Sequence, residues 1–381
     1  MNDDVIYLDH NATTPVAAEV LAAMLPYLTE AFGNPSSPHS LGRRAAKAVE
    51  VAREQVAALI GARPDEVVFT SGGTESNNLA LRGIAAAAPG DRRRIVTSAV
   101  EHPATVQPLA HLAAHGWHVT TVDVTPHGHL DLPAFRAAMG PDVALATVML
   151  VQNETGALMP VTAVTAEARA AGALVHTDAA QAVGKIPVDV DDLGVDLLSI
   201  AGHKLYAPKG VGALYVRAGT PLVPVLRGAG QEHGLRPGTE NVAGIVALGA
   251  ACALAQQDLR EEPARTATLR DELGQRLEAA IPGLVRLTPL QDALPNTLLV
   301  MFPGVAGWDL LDACPSLATA TGSACHSGVH TPSGAVLAMG VDPIDARGTV
   351  RLSLGRGTTG EHVEAAAAAL IDAFLALAAR P

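Results

Sequence analysis

The chain has 381 residues, 49% hydrophobic and 17% charged, which excludes a disulfide-stapled miniprotein and a disordered chain and favours two domains. A net charge of -12 excludes a general binder of phosphate backbones. With 3% aromatic residues, no stacking platform for single-stranded nucleic acid is expected either.

In chain order, MNDDVIYLDHNATTP is acidic with one short apolar strand. It has no basic region before an apolar core and does not read as a signal peptide. Residues 39–60 predict an amphipathic helix. Val49, Ala52, Val56 and Leu59 recur at helical spacing, Arg43, Lys47, Glu50 and Glu54 are left for water, and Gly61 offers a stop. Strands are predicted at 67–70, 94–98, 143–150, 173–177, 196–200 and 212–216. Helices are predicted near 74–88, 104–115, 131–139 and 160–171. Nearly continuous apolar strands alternating with helices predict an α/β fold, with a mostly parallel sheet covered on both faces. The charged stretch QQDLREEPAR begins a smaller α+β unit, with a helix to about Ala280, strands at 296–302 and 349–354, and a closing helix. The expected division is a large domain over 15–256 and a small one built from 1–14 and 257–381. The alanine-rich tracts near 244–255 and 363–379 fall short of the ~20 apolar residues of a membrane span.

Several motifs fail. AAQAVGKI has Ala179 and Ile186 where a P-loop needs Gly and Ser/Thr. Gly228, Gly230 and Gly234 miss the dinucleotide spacing. His111 and His115 lack the zinc-protease glutamate and read as surface histidines. Cys325, His326 and His330 have no partner cysteine pair, so no metal site is expected.

Other features point to chemistry. Arginine outnumbers lysine 22 to 4. A lysine kept against that bias can do what arginine cannot, such as form a Schiff base. Lys47 lies on a polar helix face, Lys185 follows a turn glycine, and Lys209 sits in a Pro-Lys-Gly turn. Lys204 alone follows an apolar strand through a small-residue turn, at the strand end where open α/β sheets keep their sites. Asp178, with Gln181 three residues on, lies past another strand and suits a pyridinium-nitrogen partner. FTSGGTESNNLAL runs from strand to helix through Gly72 and Gly73, an anion cradle with Thr74 adding a hydroxyl. The same segment reads equally as an ordinary N-cap, Thr74 followed by Asn77. His102 and Asn153 follow two further strands. ATGSACHSGVHTPSG reads as a mobile loop in which Cys325, flanked by Ser323, His326 and Ser327, is exposed and reactive. Cys252, in an apolar helix, reads as a packing residue. Three cysteines form no paired framework and fit a reducing, cytoplasmic compartment.

The ordered motifs YLDHNATTP, GNPSSPHSLGR, FTSGGTESNNL, EHPA, QNETG, HTDAAQAVGK, GHKLYAPKGVGALYVR, GQEHGLRPGTENV, TGSACHSG and VRLSLGR cover nearly the whole chain. Together they resemble the cysteine desulfurases, pyridoxal 5'-phosphate (PLP) enzymes of the class V aminotransferase fold. The resemblance implies transfer of sulfur from L-cysteine to an enzyme persulfide, leaving L-alanine. A sulfur-acceptor protein would serve iron–sulfur cluster assembly, thio-cofactor or tRNA synthesis. It implies that Lys204 carries PLP and that Cys325 is the nucleophile. It places Asp178 at the pyridine nitrogen, Gln181 at the phenolic oxygen and His102 over the ring. Gly73, Thr74 and His203 fall at the phosphate, as does Thr239, which reaches across a homodimer interface. Asn153 and Arg351 fall at the substrate carboxylate. Ala201 stands where many members have a phosphate-contacting serine. That difference, with Cys-His-Ser and Arg-Pro-Gly-Thr, is also similar to animal selenocysteine lyases, for which the substrate is L-selenocysteine.

Overall fold

Strands whose residues are apolar at every position have no face to give to water, so they are stable only inside a covered sheet. The computed structural model, which describes residues 5–321 and 331–379, shows that arrangement. Its strands in chain order are β1 (Ile6–Tyr7), β2 (Val67–Thr70), β3 (Arg94–Ser98), β4 (His118–Val122), β5 (Val143–Thr147) and β6 (Leu174–Asp178). There follow β7 (Leu197–Ala201), β8 (Gly212–Val216), β9 (Val285–Arg286), β10 (Thr297–Met301), β11 (Leu317–Ala318) and β12 (Thr349–Ser353). Seven of them form one sheet in the order β2-β8-β7-β6-β5-β3-β4.

β3 to β7 pair in parallel, whereas β8 lies antiparallel between β7 and β2. The chain from Ala201 to Gly212 is too short for a crossover helix, so it turns back through Pro208-Lys209-Gly210. Side chains alternate between two apolar layers. Val68, Ile95, Leu197 and Leu214 pack with Leu81 and Leu112 on one face. Phe69, Val96, Leu198 and Ala213 pack on the other, with Val56 of helix Ser40–Leu59 and Leu248 of helix Val242–Asp258. The predicted 39–60 helix is therefore present, with its apolar stripe inward. Cys252 is fully buried in that layer, as its sequence context predicts.

A second sheet, β12-β10-β9, is antiparallel. Helices Glu262–Ala280 and Gly360–Ala378 cover it around a separate core of Leu277, Leu298, Val300, Leu352, Leu370 and Phe374. The N-terminal β1 pairs in parallel with β11 beside that core, and Leu8 is buried in it. Leu294, Ala335 and Met339, from the last third of the chain, instead join the larger core. No single helix among the described residues is long and apolar enough to cross a membrane.

β2, β3, β5, β6 and β7 run in one direction, with β8 reversed between β2 and β7, so the C-terminal ends of those five share an edge of the sheet. Asp178 ends β6, and Ala201 ends β7 just before the short turn Gly202–Lys204. The chain leaves β2, β3 and β5 toward Gly73, His102 and Asn153.

Candidate active site

At that edge is a cavity of ≈ 410 Å³, within the size range of small-molecule sites. Gly73, Thr74, His102, Asn153, Asp178, Gln181, Ala201, His203, Lys204 and Arg351 all line it. The structure thus brings together every described residue the sequence nominated except Thr239. Thr239 is exposed and does not line the cavity of its own chain. Cys325 lies outside the described residues, as do Ser323, His326, Ser327 and His330.

The helix Gly73–Ala87 starts at the cavity wall, and its first N–H groups have no acceptor within the helix. Gly72 has φ +145°, a conformation open to glycine and closed to L side chains. An added Cβ on Gly73 would lie 3.3 Å from the Ala201 methyl, so residue 201 faces this cradle. A serine there would present a hydroxyl; alanine presents none. The helix begins at Gly73 with Gly72 as its cap, so Thr74 is not the cap that its spacing to Asn77 suggested. Asn77 turns inward instead, and its Nδ2 donates to Asp178 Oδ2 at 2.7 Å. Asp178 Oδ1 accepts from the Ala180 N–H at 3.0 Å. The carboxylate is thereby held in one orientation while still reaching the cavity.

Lys204 Nζ donates to the backbone oxygens of Asn11 (2.6 Å) and Ala12 (2.8 Å). Burial, and then the Arg351 guanidinium, push its pKa down to about 8. An amine poised there loses its proton readily, as a nucleophile or base must. His102 caps helix Pro103–Ala114, with Nδ1 accepting from the Ala104 N–H at 3.0 Å. That bond leaves the proton of the neutral ring on Nε2. Burial lowers the His102 pKa, with the Asp178 carboxylate opposing, so the neutral ring is favoured. His203 Nδ1 lies 3.2 Å from Thr13 Oγ1, and burial followed by the Lys204 charge pushes its pKa to about 4.

Arg351 donates through Nη2 to Asp9 at 2.6 Å and through Nη1 to the Asn153 carbonyl at 3.1 Å. Among the described residues, its buried Nε has no partner. A buried guanidinium with a spare donor is suited to a carboxylate.

Several residues of the site went unmarked in the sequence reading. Asn11 sits inside YLDHNATTP, and its carbonyl accepts from both Lys204 and Gln181. Its place at the start of the chain, far in sequence from Lys204, gave no local signal. Glu101, beside His102, is buried, with Oε1 accepting from Ser98 Oγ (2.6 Å) and the Met149 N–H (2.9 Å). Among the described residues its Oε2 has no partner, and burial pushes its pKa up to about 8. Below about pH 4.5 the carboxyl is neutral folded and unfolded. Between there and about 8 only the unfolded state ionises, so the wild type loses stability as pH rises. Glu101→Gln mimics the neutral form. Its thermal midpoint is expected to match the wild type near pH 4 and to exceed it increasingly toward pH 8. A difference between the two that does not change with pH would refute this assignment.

Comparison with known proteins gives the same picture. The aminotransferase class-V family model matches residues 6–366. Cysteine desulfurase 2 of Trichormus variabilis is 45% identical over 362 residues, covering 94% of this chain and 90% of that protein. Cysteine desulfurase NifS of Azotobacter vinelandii is 43% identical over 362 residues, with the same two shares. A solved NifS-like protein superposes with a TM-score of 0.90 at 36% identity, covering 98% of this chain and 99% of that one.

Proposed function

The chain belongs to the aminotransferase class-V family, and from that membership we propose that it is a cysteine desulfurase working with pyridoxal phosphate. The observation that carries the reading is Lys204, held near neutrality in one cavity with Asp178, His102 and Arg351. The donor set fits the cofactor. Lys204 would join it covalently, Asp178 would face the pyridine nitrogen, Gln181 the ring oxygen and His102 the ring. Gly73, Thr74, His203 and the free N–H groups of helix Gly73–Ala87 would hold the phosphate. Thr239 of a second copy would complete it in a homodimer. Ala201 contributes no hydroxyl. Bound there, pyridoxal phosphate would supply a sink for electrons developing at the substrate Cα.

Arg351, with Asn153, orients L-cysteine by its carboxylate. The Lys204 amine takes the Cα proton. The Cys325 thiolate then attacks the substrate sulfur; the Cβ–S bond breaks, and a sulfur–sulfur bond forms on Cys325. The substrate thiol's proton goes to Cβ and the abstracted proton returns to Cα, which gives L-alanine, and the persulfide passes its sulfur to an acceptor protein in a reducing, cytoplasmic compartment. The large unit, 15–256, holds the cofactor. The small unit, 1–14 with 257–381, supplies Arg351 and Cys325.

The test is chemical. Protein reconstituted with PLP should turn yellow, and borohydride should fix the cofactor to the Lys204 peptide. Label on Lys185 or Lys209, or no uptake of PLP, would refute the assignment.

A further inference from the structure

Lys185 is one of four lysines in the chain and takes no part in the reaction described above. It follows the tight turn at Gly184, which has φ +81°. Its Nζ donates to Gln181 Oε1 at 2.7 Å and to Asn11 Oδ1 at 2.9 Å. Neither partner is a carboxylate. Burial, together with the Lys204 and Arg351 charges, pushes its pKa well below that of an ordinary lysine. A buried cation facing two other cations costs stability, and two neutral acceptors only partly offset that cost. Packing alone therefore gives no reason to keep an amine here.

The hydrogen bonds supply one. The two ends of a side-chain amide are nearly the same shape, so only its partners decide which end points where. The Lys185 amine spends N–H donors on both Gln181 Oε1 and Asn11 Oδ1, and neither oxygen can donate in return. With Lys185 at its oxygen, Gln181 must turn Nε2 the other way, where it donates to the Asn11 carbonyl at 2.9 Å. That carbonyl also receives Lys204 Nζ at 2.6 Å. Flipped, Gln181 would set its oxygen against the Asn11 carbonyl and offer an acceptor where the cofactor's ring oxygen needs a donor. The same lysine fixes Asn11, whose Nδ2 is left to donate to Thr297 Oγ1 at 2.8 Å.

We propose that Lys185 is a positioning residue that sets the Gln181 amide in the one orientation that offers its N–H to the cofactor ring oxygen. It acts through Gln181 and does not itself touch substrate. The inference rests on the reading of the cavity as a pyridoxal phosphate site.

The test compares four full-length apoproteins: wild type, Lys185→Met, Gln181→Ala and the double variant. Affinity for PLP is read by absorbance titration, and the thermal midpoint of each apoprotein is read separately. Lys185→Met is expected to weaken PLP about tenfold, the worth of one good hydrogen bond. Its apoprotein midpoint should be unchanged or higher, because a buried cation is gone. The double variant should bind no more weakly than Gln181→Ala. Lys185→Gln, compared across the same two backgrounds, covers the case in which methionine does not fold. An equal loss of affinity with and without Gln181 would overturn the proposal. So would unchanged affinity beside a wild type that binds normally. Absence of PLP uptake by the wild type would overturn the cavity reading along with it.

Discussion

Lys204→Ala is expected to lower alanine formation from cysteine by about 10²–10⁴-fold or more, the range for loss of a positioned general base. The loss should be large because the proposed mechanism gives the residue two tasks at one atom: joining the cofactor and taking the Cα proton. Both require a deprotonated amine, and burial beside Arg351 eases loss of the proton by lowering the pKa to about 8. Lys204→Arg sharpens the test. Its charge and length are similar, yet a guanidinium neither deprotonates nor condenses with a carbonyl in a protein. It should be as inactive as alanine, although arginine is the commoner cation in this chain by 22 to 4. Amino-acid analysis of the product checks both variants. Near-normal turnover in either would remove Lys204 from catalysis.

Cys325→Ala is expected to abolish alanine formation from cysteine while leaving uptake of PLP unchanged. The described cavity holds the lysine, the carboxylate and the phosphate cradle without it. Cys252→Ala and Cys314→Ala should remain active. Both thiols are buried in apolar cores, and burial raises both pKa values, that of Cys252 to about 12. Neither presents a thiolate at neutral pH. Alanine formation from selenocysteine by Cys325→Ala would extend the activity to selenium, since a selenolate leaves more readily than a thiolate. Full cysteine activity in Cys325→Ala would end the persulfide mechanism.

The sheet was legible because its strands are buried on both faces, and a run such as VVFT or DLLSI has no polar alternation to confuse it. Strand-end placement then located Asp178 and Lys204 directly. β4, HVTTV, gave no such signal, because it lies at the sheet edge and leaves several residues open to water. β11 is two residues long, too short for any periodicity; β1 is equally short but stood out as the one apolar stretch of an acidic segment. The reversal at β8 depends on the length of one connection, and apolar content says nothing of direction. Lys204 stood out through its position after a strand, whereas Lys185 looked like a turn residue. Gln181 is its neighbour in sequence, but its other partner, Asn11, meets it only once the N-terminal segment folds across the sheet edge. Asn77 was read as part of a cap because its spacing from Thr74 suits one; the direction of its side chain depends on where Asp178 lies.

Transfer of sulfur to Cys325 is tested most directly by mass spectrometry of the holoenzyme after reaction with cysteine in the absence of reductant. The peptide bearing Cys325 should gain the mass of one sulfur atom, removable by a thiol reductant, in step with the alanine formed. The Cys252 and Cys314 peptides should be unchanged. Alanine released with no added sulfur on the Cys325 peptide, or sulfur found on either buried cysteine instead, would contradict the account.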